Sequence, residues 1–233
     1  MKAFLKSTQF WRMIDHKNEI TTIYVVRHGE SQSNVYAQDN PDRPASHFGE
    51  FGSSLTEKGR EQVHQLAERL KQIHFSAFFS SYLNRAKESA EILAKPYHLE
   101  IIHDRNIREL FFGEPMSHAK KKEIEEELKS LNEQKKFSFK YFSNGESMRE
   151  ASIRFKKFLE EIIPTYKGKT ILIVSHGYIM RSFLIQEGFA KFDELQGGSI
   201  KNAGYFVIKT DGKTFKITDR YGITRNRGVD NEE

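Results

Sequence analysis

Hydrophobic positions along this chain follow two patterns that alternate. Short unbroken runs rich in β-branched and aromatic residues, at 20–26, 75–80, 99–102 and 170–174, have the composition of strands buried on both faces. Longer stretches between them carry helical spacing: behind a Thr56 N-cap, Val63, Leu66, Ala67, Leu70 and Ile73 recur at i, i+3, i+4, i+7 and i+10. Residues 82–95 bring Ala86, Ala90 and Leu93 to one face and end at Pro96; residues 146–163 do the same with Met148, Ile153, Phe155, Phe158, Leu159, Ile162 and Ile163. A further helix is expected over 178–186, and the segments 205–209 and 215–220, joined by Asp211-Gly212, predict an antiparallel pair. The polar stretch 31–54, with Pro41 and Pro44, predicts a loop; 117–132 predicts a highly charged helix, followed by an aromatic-rich connection over 135–144.

Strands alternating with helices predict an α/β fold: a three-layer α/β/α arrangement around a mostly parallel sheet with an antiparallel edge. The 233 residues show no shift in composition that would divide them. A single domain over 20–233 is expected, with residues 1–19 as an amphipathic arm and an insertion near 104–144 as a cap over the sheet edge. Hydrophobic residues at 37% and charged residues at 30% suit a soluble globular chain, and no apolar run has the length of a membrane span. The arm lacks the continuous apolar segment of a secretory signal, and the absence of cysteine removes disulfide and thiolate chemistry; both agree with a cytoplasmic location. A net charge of +5 favours anionic ligands. Acidic residues interleave the basic ones in 120–127, so that segment reads as a solvated helix face with i,i+4 pairs rather than a nucleic-acid stripe.

The candidate chemistry gathers where the apolar runs stop. The first strand ends at Arg27-His28-Gly29 and the fourth at Ser175-His176-Gly177. In an open α/β sheet the carboxyl ends of the strands border the crevice where ligands bind. Arg85, in the first turn of the helix after the second strand, and Glu109, in the loop after the third, fall at the same rim. Guanidinium forks donate paired hydrogen bonds to phosphate oxygens, and the helix that starts after Gly177 adds the positive end of its dipole. His16, His47, His64, His74, His98, His103 and His118 have no such context and are read as structural.

Arg27-His28-Gly29-Glu30-Ser31 with Asn34, Leu55-Thr56-Glu57-Lys58-Gly59, Ser80-Ser81 leading to Arg85-Ala86, Glu109, Gly145-Glu146-Ser147 and Val174-Ser175-His176-Gly177 occur in one order. Together they resemble the phosphoglycerate-mutase-like branch of the histidine phosphatase superfamily, over about residues 20–209. The resemblance implies that His28 is a nucleophile that becomes phosphorylated. It implies that Arg27, Arg85 and His176 neutralise the phosphoryl oxygens and that Asn34 also contacts the group. Glu109 is then the general acid and base, and no cofactor or metal is called for.

Mutases and phosphatases of this kind share the phosphohistidine, so the remaining groups decide between them. The mutase loop typically reads Glu-Arg-His-Tyr-Gly, whereas here it reads Glu109-Leu110-Phe111-Phe112-Gly113, without the polar side chains that would grip a phosphoglycerate carboxylate. Metal-independent hydrolysis of a small phosphomonoester with an apolar or aromatic portion, helped by Phe111, Phe112 and the aromatic run 137–142, is the favoured reading. The alternatives are a phosphoglycerate mutase, a two-histidine, one-carboxylate metal enzyme built on His28, His176 and Glu109, and a non-catalytic binder of phosphorylated ligands. Glu114-Pro115-Met116 stands where related phosphatases carry a Trp-Glu-Gly type of turn, so the substrate is not readable from this loop. Neither nucleic acid nor a membrane is expected as a partner, and the sequence leaves the oligomeric state open.

Overall fold

The β-branched run at the start of the described chain forms strand β1 (Thr21–Arg27), and it lies at the middle of the sheet because both of its faces are apolar. In chain order the other strands are β2 (Ala77–Ser81), β3 (Ile101–Asp104), β4 (Thr170–Ser175), β5 (Ile200–Thr210) and β6 (Phe215–Ile223). They form one six-stranded sheet in the order β3-β2-β4-β1-β5-β6. Pairing is parallel from β3 through β1 and antiparallel at β5 and β6. The computed structural model describes residues 20–43 and 51–226, so the expected arm over 1–19 lies outside the described residues.

The helices are α1 (Gln32–Asp39), α2 (Glu57–Leu70), α3 (Asn84–Ala94), α4 (His118–Leu128), α5 (Glu133–Phe137), α6 (Met148–Ile162) and α7 (Gly177–Gln186). Alternation along the strands divides the core into two layers. Ile23, Val25, Phe79, Ile171, Ile173 and Phe206 pack against α6 and α7 through Phe155, Phe158 and Phe183. Val26, Phe78, Leu172, Val174 and Val207 pack against α2 and α3 through Val63, Leu66, Ala90 and Leu93. A third cluster, Leu110, Met116, Ile124, Leu128, Phe137 and Met148, forms inside the excursion between β3 and α6.

Three expectations need correction. Residues 32–39 are helical, not loop: Ser31 and Asn34 form a capping box, but the helix buries no residue and so leaves no apolar periodicity to read. Ile153 is 58% exposed instead of facing the core, because Phe155, Phe158 and Leu159 already fill the buried side of α6. The segment 120–127 is not uniformly solvated. Lys120 pairs with Glu123 at the surface, whereas Glu125 turns inward to accept hydrogen bonds from Tyr178 Oη (3.2 Å) and Arg181 Nη1 (3.3 Å).

The turn after β1 depends on one close approach. A Cβ placed at Gly59 would lie 1.9 Å from the Glu30 carbonyl oxygen, so only glycine lets the start of α2 pack on the segment that leaves His28.

Candidate active site

β1 and β4 are adjacent and parallel, with Arg27 opposite Ser175, so the residues that follow, His28 and His176, emerge side by side at the carboxyl edge. Their rings are 5.1 Å apart between centroids. His28 is 2% exposed and His176 fully buried.

The tautomer of His28 is fixed by its neighbours. Nδ1 is 2.7 Å from the Gly29 carbonyl oxygen, which can only accept, so Nδ1 carries the hydrogen. Nε2 then keeps its lone pair and accepts a hydrogen bond from Arg85 Nε at 3.1 Å. Burial, and then the charges of Arg85 and Arg27, hold His28 well below the ordinary imidazole range against the opposing pull of the Gly29 carbonyl. The backbone is anchored as well: His28 N–H donates to the Ser175 carbonyl, its own carbonyl accepts from Ala203 N–H, and Gly29 N–H donates to Ser89 Oγ.

His176 lies under the same influences, burial first and then Arg85, His28 and Arg27, and it too is held well below the imidazole range. Among the described residues both of its ring nitrogens and Arg27 Nε are buried without a hydrogen-bond partner. Buried polar atoms left unpaired are costly, and here they cluster around one point, the arrangement expected of groups that wait for a ligand. Arg27 is tied by Nη1 to the Ile200 carbonyl, and its guanidinium lies against the start of α7, within van der Waals reach of Gly177.

Arg85 makes no ion pair with Glu88 or Glu109. Glu88 is bound by Arg60 at 2.6 Å, and Arg85 faces His28. Glu109 is close enough for its charge to oppose the depression of both Arg27 and Arg85 by burial. Its Oε1 accepts from the backbone N–H groups of Leu110 (2.9 Å), Tyr178 (3.1 Å) and Ile179 (3.2 Å). A carboxylate therefore occupies the helix N-terminus expected to face phosphate, and α7 holds Glu109 in place. Asn34 is linked to the pair through Asn202, whose Nδ2 donates to the His28 carbonyl (3.3 Å) and to Asn34 Oδ1 (3.2 Å).

Sequence reasoning missed the supports. The loop that carries Glu109 is clamped by Arg154 on α6, which forks onto Glu146 with Nε–Oε1 at 2.7 Å and Nη2–Oε2 at 2.8 Å. Arg154 Nη1 also donates to the Asn106 and Arg108 carbonyls, and Glu146 N–H donates to the Phe111 carbonyl at 2.6 Å. Burial works to raise Glu146, and the Arg154 fork overcomes it, leaving the carboxyl below its usual range. Arg154 looked like one more charge on a helix face, and only its i+8 spacing from Glu146 hinted at the pair.

The aromatic run is also placed differently from the expectation. Phe112 packs edge-on against Tyr141 (4.9 Å) and Tyr178 (5.1 Å) inside the excursion, with Lys121 Nζ 4.4 Å from its ring centre. Phe137 is buried there too, so these rings build the excursion's own core, whereas Phe111 is 49% exposed.

The histidine pair, the two guanidiniums and the order of the motifs agree with what comparison of the whole chain finds: residues 23–221 match the histidine phosphatase superfamily (branch 1). The chain belongs to this superfamily. An Escherichia coli protein named "Probable phosphoglycerate mutase GpmB" is 34% identical over 164 residues, 66% of this chain and 69% of the relative. Bacillus stearothermophilus YhfR superposes with a TM-score of 0.67 at 26% identity, covering 84% of this chain and 95% of that one. Bacillus anthracis phosphoglycerate mutase gives 0.70 at 23% identity, with 87% and 94% coverage, and shares the fold. As a member of the superfamily the chain is a phosphatase or a mutase. Among the described residues no helix is long and apolar enough to cross a membrane.

Proposed function

We propose that this enzyme hydrolyses small phosphomonoesters through a phosphohistidine on His28, without a metal ion. The observation that carries the reading is the state of His28: a neutral imidazole whose Nδ1 is engaged by the Gly29 carbonyl and whose Nε2 lone pair faces Arg85. In the first step Nε2 attacks phosphorus, the bond to the leaving oxygen breaks, and that oxygen takes a proton from Glu109. Arg27 and Arg85 neutralise the equatorial oxygens and His176, a neutral imidazole, donates a ring N–H to them, the stabilisation phosphoryl transfer chiefly needs. In the second step water attacks phosphorus, Glu109 takes its proton, and the P–N electron pair returns to Nε2. Asn34 and Gly177 complete the phosphoryl-binding set.

Hydrolysis is favoured over mutase transfer because Leu110, Phe111 and Phe112 supply no polar partner for a phosphoglycerate carboxylate. The related names include mutases and phosphatases alike, so the choice rests on that site chemistry.

The test is release of phosphate from p-nitrophenyl phosphate and 3-phosphoglycerate with EDTA present. The reading predicts hydrolysis that persists in chelator, vanishes in His28→Ala, and in Glu109→Gln falls more for alkyl esters than for p-nitrophenyl phosphate. Interconversion of 3- and 2-phosphoglycerate without hydrolysis would establish the mutase instead.

A further inference from the structure

Beside the crevice, outside the residues given roles above, a short row of side chains alternates cation and ring. Phe51 and Tyr82 meet edge to face with centroids 6.4 Å apart. Lys87 Nζ is 5.6 Å from the centre of the Phe51 ring, and Arg105 Cζ is 5.2 Å from that of Tyr82. We propose that Phe51, Tyr82, Lys87 and Arg105 form the leaving-group subsite, and that the substrate is a small phosphomonoester whose alcohol carries an aromatic ring and a second negative charge. This inference rests on the phosphatase reading and names the substrate class for it.

The row is placed by the same helix that presents Arg85. Tyr82 and Lys87 flank Arg85 at the start of α3. Asn84 straps the chain across that helix start: its N–H donates to the Phe51 carbonyl at 2.9 Å and its side-chain amide to the Gly52 carbonyl at 3.3 Å. Gly52 consequently lies against the guanidinium that faces His28; a Cβ there, at φ +70°, would be 2.7 Å from Arg85 Nη1. Phe51 is thus the chain neighbour of the residue that lies against the phosphoryl-binding arginine. Tyr82 is close enough for its hydroxyl to be felt by Arg85 and Arg108.

The cations point to an anion. Among the described residues neither Lys87 nor Arg105 is held in an ion pair, and the nearby Glu88 is taken by Arg60 and Glu146 by Arg154 and Arg108. A guanidinium lying over a ring keeps its N–H donors in its own plane, free for a carboxylate or phosphate, while the ring restricts its rotamers in advance. Phe51 is 48% exposed, so an aromatic ligand has an edge or face to meet. Of the aromatic residues first expected to do this, Phe112 and Phe137 are consumed in the excursion's core, whereas Phe111 stays exposed.

The experiment compares kcat/KM of the full chain on cyclohexylmethyl phosphate, benzyl phosphate and 4-carboxybenzyl phosphate. All three leave as primary alcohols of similar acidity, so the demand on Glu109 is constant and only ring and charge differ. The wild type is expected to prefer benzyl over cyclohexylmethyl, and 4-carboxybenzyl over benzyl, by about fivefold or more at each step. Phe51→Leu and Tyr82→Leu should bring the first ratio near one, and Lys87→Gln and Arg105→Gln the second. Ratios taken within one preparation do not depend on how much of a variant is folded. Ratios near one in the wild type, or unchanged in the variants, overturn the inference and leave the phosphatase reading standing. No phosphate released from any of the three esters removes that reading and the inference with it.

Discussion

A neutral His28 is the condition on which the proposed chemistry depends, and its surroundings enforce it: burial and two guanidiniums disfavour the imidazolium, and His176 is under the same pressure. The consequence for stability has a definite sign. Both histidines titrate below 6.5 when folded, so as pH falls through that value the unfolded chain binds protons that the native chain refuses. Stability should be full above pH 6.5 and decline below it, by up to ~1.4 kcal/mol per histidine for each pH unit. Urea midpoints from pH 7.5 to 4.5 check this, and His28→Gln with His176→Gln should flatten the profile; an equal slope in the double variant would place the effect elsewhere. The acid limb of kcat/KM should likewise lie below pH 6.5, because the nucleophile is lost only when protonated. These histidines were legible because each follows an apolar strand and precedes glycine. Asn202 was not: it reaches the His28 carbonyl from the opening of β5, and no local pattern marks it.

At the scale of elements, the structure ties the Glu109 loop to α6 by one buried fork, with Arg154 13% and Glu146 12% exposed at the side chain. Without Arg154, Glu146 keeps only the longer Arg108 ion pair at 3.4 Å among the described residues: Arg154→Gln should cost about 1–3 kcal/mol, and Arg154→Lys should recover little, since a lysine cannot make the paired bonds. A positioning role makes a sharper demand than stability. The loss of kcat in Arg154→Lys should be larger for alkyl phosphates, which need a proton donor, than for p-nitrophenyl phosphate; equal losses would reduce the pair to a structural brace. Helices with a buried face, α2 and α6, were readable from periodicity, whereas α1, which buries nothing, was hidden in a polar stretch. In α4 the sequence displayed the charges but not their direction, and Glu125 turned inward because Tyr178 and Arg181 await it across the interface.

At the scale of the molecule, the sheet order brings together groups far apart in the chain: β1 and β4 set the histidines side by side, β2 leads into Arg85, and β3 leads to Glu109. Alternating strands and helices were enough to read that architecture, because a parallel sheet covered on both faces leaves continuous apolar runs. What could not be read was how the excursion after β3 folds, since its aromatic residues could as well have lined the crevice as filled their own core. With Arg27 Nε and His176 unpartnered, an oxyanion should stabilise the whole fold. Orthovanadate at about a hundred times its dissociation constant should add ~2.7 kcal/mol, a rise in Tm of several degrees that His176→Gln diminishes.

The most direct test of the account is rapid quenching of a turning-over reaction in alkali, followed by peptide mapping for a phosphorylated residue. The account predicts an acid-labile, base-stable phosphoryl group on His28, formed and consumed at the rate of turnover and absent from His28→Ala. Steady hydrolysis with no phosphoryl group on His28, or with one on another residue, would contradict it.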